Sequence, residues 1–430
     1  MSHYKPYPAY KDSGVEWLGA VPADWKPTTL SYLADYFNGY PFAPEQWSCE
    51  GIPIVRIAQL TGKPFDNFYD GAAPEHLRVE DGDLLFSWSA TIDCFIWDRG
   101  PAWLNQHIFR VLPSKEADKR FLYHLLRHVA PKLADFDAHG STMRHIKKES
   151  LKERIFVPSL STQVAIAAHL DRETARIDAL ITKKTRFIEL LREKRQALIT
   201  HAVTKGLDPN VPMKDSGVEW LGEVPEHWAV CKLSFRYAVE LGKMLDEKRI
   251  DGKNLMPYLR NQDVQWDAIN TQNLPEMDIY PSELSRYTVC AGDLLVCEGG
   301  DVGRAAIWRG NGDETGFQKA LHRLRPRSAR TDTAEFFFFS LMTAKVRGVF
   351  EESDAKATIA HLPAEKFRQY RFAFPPQSEQ YQISAYLREQ TARLDTLMEK
   401  TTRSIDLIKE RRSALITAAV TGLIDLREAA

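Results

Sequence analysis

The side chains of this chain best suited to chemistry are cations and amides gathered near short strand-like runs. Arg, Lys, His, Asn and Gln can grip phosphate oxygens, and in the right geometry they read the edges of bases. From Arg304 to Arg330 there are seven Lys/Arg against two acids, and from Lys115 to Arg154 ten against six. In the first half the candidates for such contacts are Arg56, Gln106, His107, Arg110, Ser141, Thr142, Arg144, His145 and Lys147. In the second half they are Arg260, Arg304, Gln318, Lys319, His322, Arg323, Thr358 and His361. Residues that recur in both halves, such as Arg56/Arg260 and Thr142/Thr358, suit backbone positioning. Residues that differ, such as Arg144 against Ala360, suit discrimination. His145 and His361 occupy matched places and read first as structural hydrogen bonders.

No set of residues suggests bond-making. The sequence lacks a G-x-x-x-x-G-K-[ST] phosphate loop and an H-E-x-x-H metal site. The string nearest to the Asn-Pro-Pro-aromatic tetrapeptide of adenine methyltransferases, Phe374-Pro-Pro-Gln377, lacks both the Asn and the aromatic. Glu298-Gly-Gly-Asp-Val-Gly303 is glycine-rich but wrongly spaced for a dinucleotide, and reads as a tight loop after a strand. No catalytic residue, metal or cofactor is expected.

Composition narrows the class. At 44% hydrophobic the chain can bury two cores, and its formal charge of −1 leaves only local patches to attract polyanions. Cys49, Cys94, Cys231, Cys290 and Cys297 are odd in number and form no CxxC pair, which fits a reducing cytoplasm. The first residues lack the apolar core of a signal peptide. The greasiest run, Glu335–Met342 (EFFFFSLM), is too short to span a bilayer and reads as a buried element.

The elements that must position the candidates occur twice. KDSGVEWLGAVPADW at Lys11–Trp25 returns as KDSGVEWLGEVPEHW at Lys214–Trp228, with twelve of fifteen positions identical at an offset of 203 residues. A period this long marks a duplicated domain. Each copy opens with this Gly/Trp segment, expected to pack as an ordered loop through Trp17 and Trp25, or Trp220 and Trp228. A mixed domain with short strands follows, matched at Pro53–Leu60 and Pro257–Val264, at Gly82–Phe86 and Gly292–Val296, at Gln106–Pro113 and Gln318–Pro326, and at Thr142–Ile146 and Thr358–Leu362. A long helix closes each copy, Ser161–Thr204 and Ser378–Thr421. The first carries Ile177, Ile181, Ile188, Leu191, Leu198 and Ala202 at heptad-like spacing, with Lys184 and Arg195 in two seam slots. Forty-odd helical residues span about 65 Å, longer than one small domain needs, so the two stripes are expected to pair antiparallel. The fold class is therefore α+β: two mixed α/β domains (residues 1–158 and 208–375) joined by two long antiparallel helices (residues 159–207 and 376–425) in a coiled coil with an internal pseudo-twofold. Outward polar positions also match between the helices: Arg176/Arg393, Asp178/Asp395 and Arg195/Arg412. A seam alone does not require this, so these six are candidates for binding equivalent partners.

The order and doubling of these motifs resemble the specificity subunit of type I restriction–modification systems. The likeness runs from Lys11 to about Asp425. It is carried by the doubled KDSG-x-E-W-L-G-x-V-P, P-x-x-R at Pro53–Arg56 and Pro257–Arg260, GDLL, T-x-x-H-[IL], and the S-x-Q entry to each helix after Pro158 and Pro375. The resemblance implies that each mixed domain reads one half of a split, asymmetric site on double-stranded DNA. It implies that the helices set the gap and dock two methyltransferase subunits, with a restriction motor as a further partner. S-adenosylmethionine and ATP would belong to those partners, which methylate adenine at N6, and this chain would be non-catalytic. The competing reading of the same repeat is a duplicated coiled-coil adaptor that binds only proteins.

Overall fold

A computed structural model describes residues 4–71, 73–137, 145–245, 252–310, 314–351 and 361–427. The chain divides into two compact units, Met1–Thr185 with Thr402–Ala430, and Arg186–Thr401. Each unit therefore holds one mixed domain, part of its own long helix and part of the other.

The KDSG segment is more ordered than expected. It is a β-hairpin, Tyr10–Asp12 against Ala20–Pro22, and again Met213–Asp215 against Glu223–Pro225. The motif explains the turn. Asp12 Oδ1 accepts from Gly14 N–H, and the Ser13 hydroxyl accepts from Val15 N–H, while Gly14 and Gly19 supply the positive φ. Lys11 reaches back to donate to the carbonyls of Ala23 and Trp25, as Lys214 does to those of Glu226 and Trp228. Trp25 and Trp228 are fully buried, whereas Trp17 and Trp220 are half-buried.

In the first unit a four-stranded antiparallel sheet runs in the order Ala34–Asn38, Ile108–Pro113, Leu84–Ser87, Asp93–Ile96. A second sheet carries Ile52–Val55 parallel to Ala102–Leu104. The second unit repeats both, with Tyr237–Leu241, Leu321–Pro326, Leu294–Cys297 and Ala305–Ile307, and with Leu255–Leu259 parallel to Gly316–Phe317. The P-x-x-R runs end as turns, not strands, because a side chain caps the turn: Gln59 Oε1 accepts from Arg56 N–H, and Asp263 Oδ2 from Arg260 N–H.

One helix covers each main sheet. Lys119–Asp137 buries Phe121, Leu122, Leu125, Leu126 and Val129, an i, i+3/i+4 stripe, and starts where Asp118 Oδ1 accepts from Phe121 N–H. Its counterpart Ala334–Val346 contains the EFFFFSLM run, with Phe336 through Phe339 all buried. It is capped by the Thr333 hydroxyl.

The long helices run Leu160–Lys205 and Gln377–Val420, within two residues of the expected limits. They pair antiparallel. In the first unit Arg412 meets Asp178, and in the second Arg195 meets Asp395. The seam buries Ile177, Ile188, Leu191 and Ala202 of the first helix, and Ile405, Leu415 and Ala419 of the second. Thr174 and Thr391 occupy buried seam positions, where each hydroxyl donates to the carbonyl four residues back, Leu170 and Leu387. No helix among the described residues is long and apolar enough to cross a membrane.

Candidate nucleic-acid interface

In each mixed domain four loops and the end of a strand are tied together at one end of the sheets. In the first unit Tyr40 N–H donates to Leu104 O (2.7 Å) and Gln106 N–H to Tyr40 O (3.1 Å). Asn105 N–H donates to Val55 O (3.1 Å), and Ile146 N–H to Trp88 O (2.9 Å). The second unit makes the same four bonds: Lys243 to Phe317 (2.9 Å), Lys319 to Lys243 (2.9 Å), Gln318 to Leu259 (2.9 Å), and Leu362 to Glu298 (2.8 Å). A fifth bond links Trp88 N–H to His107 O, and Glu298 N–H to Ala320 O. Gly39 and Gly242 make this closure possible, since a Cβ on either would overlap the backbone of Asn105 or Gln318.

This network fixes which positions correspond. Asn105 answers Gln318 and Gln106 answers Lys319, one residue away from the pairing suggested by the sequence alone. On one scaffold the first domain displays Tyr40, Trp88, Asn105, Gln106 and His107. The second displays Lys243, Glu298, Gln318, Lys319 and Ala320. Arg56/Arg260 and His145/His361 are common to both.

The candidate residues sort by position. Gln106, His107, Lys147, Lys319 and His361 are exposed at the loop cluster. His107 lies against the Trp88 ring (5.3 Å between centroids), and the Trp88 indole N–H donates to Asn38 Oδ1. His145 and His361 bridge to Ser89 and Gly299. Arg56 lies over the Trp47 ring, and Arg260 is held by both oxygens of Asp263. Arg304 donates to the Asn261 carbonyl and side-chain oxygens, bracing the second cluster from within.

Three candidates are engaged elsewhere. Arg110 pairs with Asp83 (3.1 Å) and the His76 carbonyl. Arg323, 5% exposed, donates to the Thr288 and Ser285 carbonyls, and burial lowers its pKa. His322 is fully buried against Phe367, and its Nε2–H donates to Leu362 O; burial pushes its pKa down to about 4. The strand Leu321–Pro326 lies inside its sheet with an apolar core against each face, so His322 and Arg323 are buried on opposite sides, a consequence of topology that residue type does not reveal. Ser141, Thr142, Arg144 and Thr358 lie outside the described residues.

The GDLL aspartates have a local role. Asp83 accepts from Glu80 N–H and pairs with Arg110; Asp293 accepts from Cys290 N–H and holds Arg325 through both oxygens. Sequence reading passed over Trp88 and Glu298. Their signal was present, since each is the seventh residue of the matched runs GDLLFSW and GDLLVCE, where residue type first diverges sharply.

On the helices, four of the six partner candidates form the two cross-helix ion pairs, Asp178–Arg412 and Arg195–Asp395. Their matching therefore has a reason inside the chain. Arg176 and Arg393 point outward, beside Glu173 and Glu389 of their own helices.

Residues 22–190 match the family model described as the type I restriction modification DNA specificity domain. The matched stretch spans the first mixed domain and much of the first long helix. Among curated relatives, the chain is 21% identical over 427 residues to the type I restriction enzyme EcoBI specificity subunit of Escherichia coli, covering 96% of this chain and 88% of the relative. The fold is shared with the HsdS subunit from Thermoanaerobacter tengcongensis (TM-score 0.57, 16% identity, 94% of this chain and 98% of that one). It is also shared with a chain from a structure of type I R-M complex assembly and conformational transition (TM-score 0.70, 15% identity, 93% and 98%). The chain is thus similar over nearly its whole length to type I restriction enzyme specificity subunits, and its residues 22–190 match the DNA specificity domain model.

Proposed function

We propose that this chain is the non-catalytic specificity subunit of a type I complex, and that each mixed domain reads one half of a bipartite, asymmetric target. The domains would be residues 1–158 and 208–375, and the spacers residues 159–207 and 376–425. The observation that carries the reading is the loop cluster built twice with the same backbone bonds and different side chains. A fixed scaffold with exchanged amide, aromatic and charged tips is what two readers of different sequences require. The exposed contact candidates are Gln106, His107, Lys147, Lys319 and His361, with half-buried Gln318 beside Lys319. Arg56, His145, Arg260 and Arg304 support them. In this reading the helices set the gap and dock two methyltransferase subunits, with Arg176 and Arg393 as outward cations. S-adenosylmethionine and ATP would be used by those partners and by a restriction subunit.

The test is binding to duplex DNA at graded salt, followed by mapping of methylated adenines made by the complex. The expected result is affinity that falls steeply with salt and a two-part methylated target. A chain that binds its protein partners yet shows no salt-sensitive DNA binding would be an adaptor instead. Exchanging residues 1–158 for the equivalent domain of a relative should change one half of the target and leave the other.

A further inference from the structure

Glu298 is a carboxylate in an expensive place. It follows the buried strand Leu294–Cys297 and is only 8% exposed. Among the described residues its side chain accepts no hydrogen bond; its ion-pair neighbour is His361, with Nε2 3.5 Å away. Lys319 adds a weaker attraction and Glu365 a repulsion. The group therefore carries a desolvation penalty with little return, and burial raises its pKa. A carboxylate left short of donors at the rim of a recognition domain has a use when a donor arrives from outside.

Its backbone shows where that donor would come from. Glu298 N–H donates to Ala320 O, one residue beyond the exposed Lys319, and Glu298 O accepts from Leu362 N–H beside exposed His361. The carboxylate thus sits between an exposed lysine and an exposed histidine, both able to meet phosphate or base oxygens. Its counterpart in the first domain is Trp88, a ring with an indole donor. At this shared position the two domains therefore differ in chemistry, a buried carboxylate against an indole.

Resting on the proposed DNA reading, we infer that Glu298 determines specificity in the second half-site by accepting a hydrogen bond from an exocyclic amino group, that of cytosine N4 or adenine N6. A carboxylate only accepts, so it rejects the carbonyl edges of guanine and thymine at that place. The first domain, with Trp88 there, reads its half-site without this contact.

The experiment compares the complex with its methyltransferase subunits carrying wild-type chain, Glu298→Gln or Glu298→Ala. Methylated adenines are mapped, and binding is measured to duplexes in which each base pair of the target is changed singly. The expected result is a loss of roughly tenfold or more in discrimination at one base pair of one half, with the other half and the gap unchanged. Thermal stability should stay level or rise, because an uncompensated buried charge has been removed. Unchanged discrimination by both variants at every position overturns the inference. So does uniform loss of methylation with lowered stability, which would make Glu298 structural. The wild-type map run alongside reports on the underlying reading itself: a two-part target there, with no change in the variants, counts against Glu298 alone.

Discussion

His322 shows how one side chain can look like a ligand and be a beam. Its partner, the Leu362 carbonyl, only accepts, so Nε2 carries the proton and Nδ1 is left bare and buried without a partner. Charging the ring would put a second proton where nothing receives it. The ordinary pKa of about 6.5 is lowered to about 4, and His128 behaves alike beside Lys132. A group whose folded pKa is depressed takes up protons preferentially when unfolded. The stability it contributes is therefore complete above about pH 6.5 and is lost as pH falls towards 4. His322→Phe should flatten the fall in melting temperature between pH 6.5 and 4, and a fall as steep as wild type would refute this origin. Glu298 has the opposite sign, since its raised pKa means that ionisation costs stability as pH rises. Neither property was legible from residue type. Sequence supplied the histidine and the glutamate, but burial and alternation along a strand decided that one faces Phe367 and the other the rim.

At the scale of elements, the short motifs are joints. The Gln of each S-x-Q entry is almost wholly buried. Gln380 accepts from Thr333 N–H and donates to the carbonyls of Thr331 and Pro375; Gln163 accepts from Asp118 N–H and donates to those of Glu116 and Pro158. One amide thus fastens the start of a long helix to the start of the helix covering the sheet. Gln380→Ala would leave the buried Thr333 N–H and the Pro375 carbonyl unpaired, while Thr331 O keeps Arg236, at about 2–4 kcal/mol. The expected readout is a lower urea midpoint and faster amide exchange at Phe336–Phe339, and unchanged exchange there would remove the joint from the account. The long helices were legible to within two residues because a heptad stripe is a local, repeated signal. The KDSG hairpin was not, because its strands are three residues long and are held by the Lys11 and Lys214 ammonium groups bonding across the turn. The loop cluster was half legible. Gln106, His107 and Lys319 were found by type, while Trp88 and Glu298 needed the fold to bring them alongside.

For the whole molecule, the duplication makes the two helices interchangeable in their seam. Asp178 and Arg195 lie on the first helix, and Asp395 and Arg412 repeat them on the second, so each cross-helix pair joins an Asp of one copy to the Arg of the other. Each hairpin clamps a helix end in the same way: Trp25 packs on Gly422 and Trp228 on Gly206, both glycines at φ +75°. A fragment of residues 1–207 therefore carries every group needed to pair with a second copy of itself. Ile188, Leu191, Arg195 and Ala202 of one fragment would stand in for Ile405, Ile408, Arg412 and Ala419, and the pair would be a closed twofold dimer. Sedimentation of the purified fragment should give a dimer at micromolar concentration. Asp178→Arg should weaken it roughly tenfold by opposing two cations across the seam twice, a modest effect because the pairs are part-exposed. The double exchange Asp178→Arg with Arg195→Asp should restore it, since the pairs re-form with reversed polarity. A fragment that stays monomeric, or a double exchange that rescues nothing, would mean that the ion pairs are incidental and that divergence since duplication has made the two seams distinct.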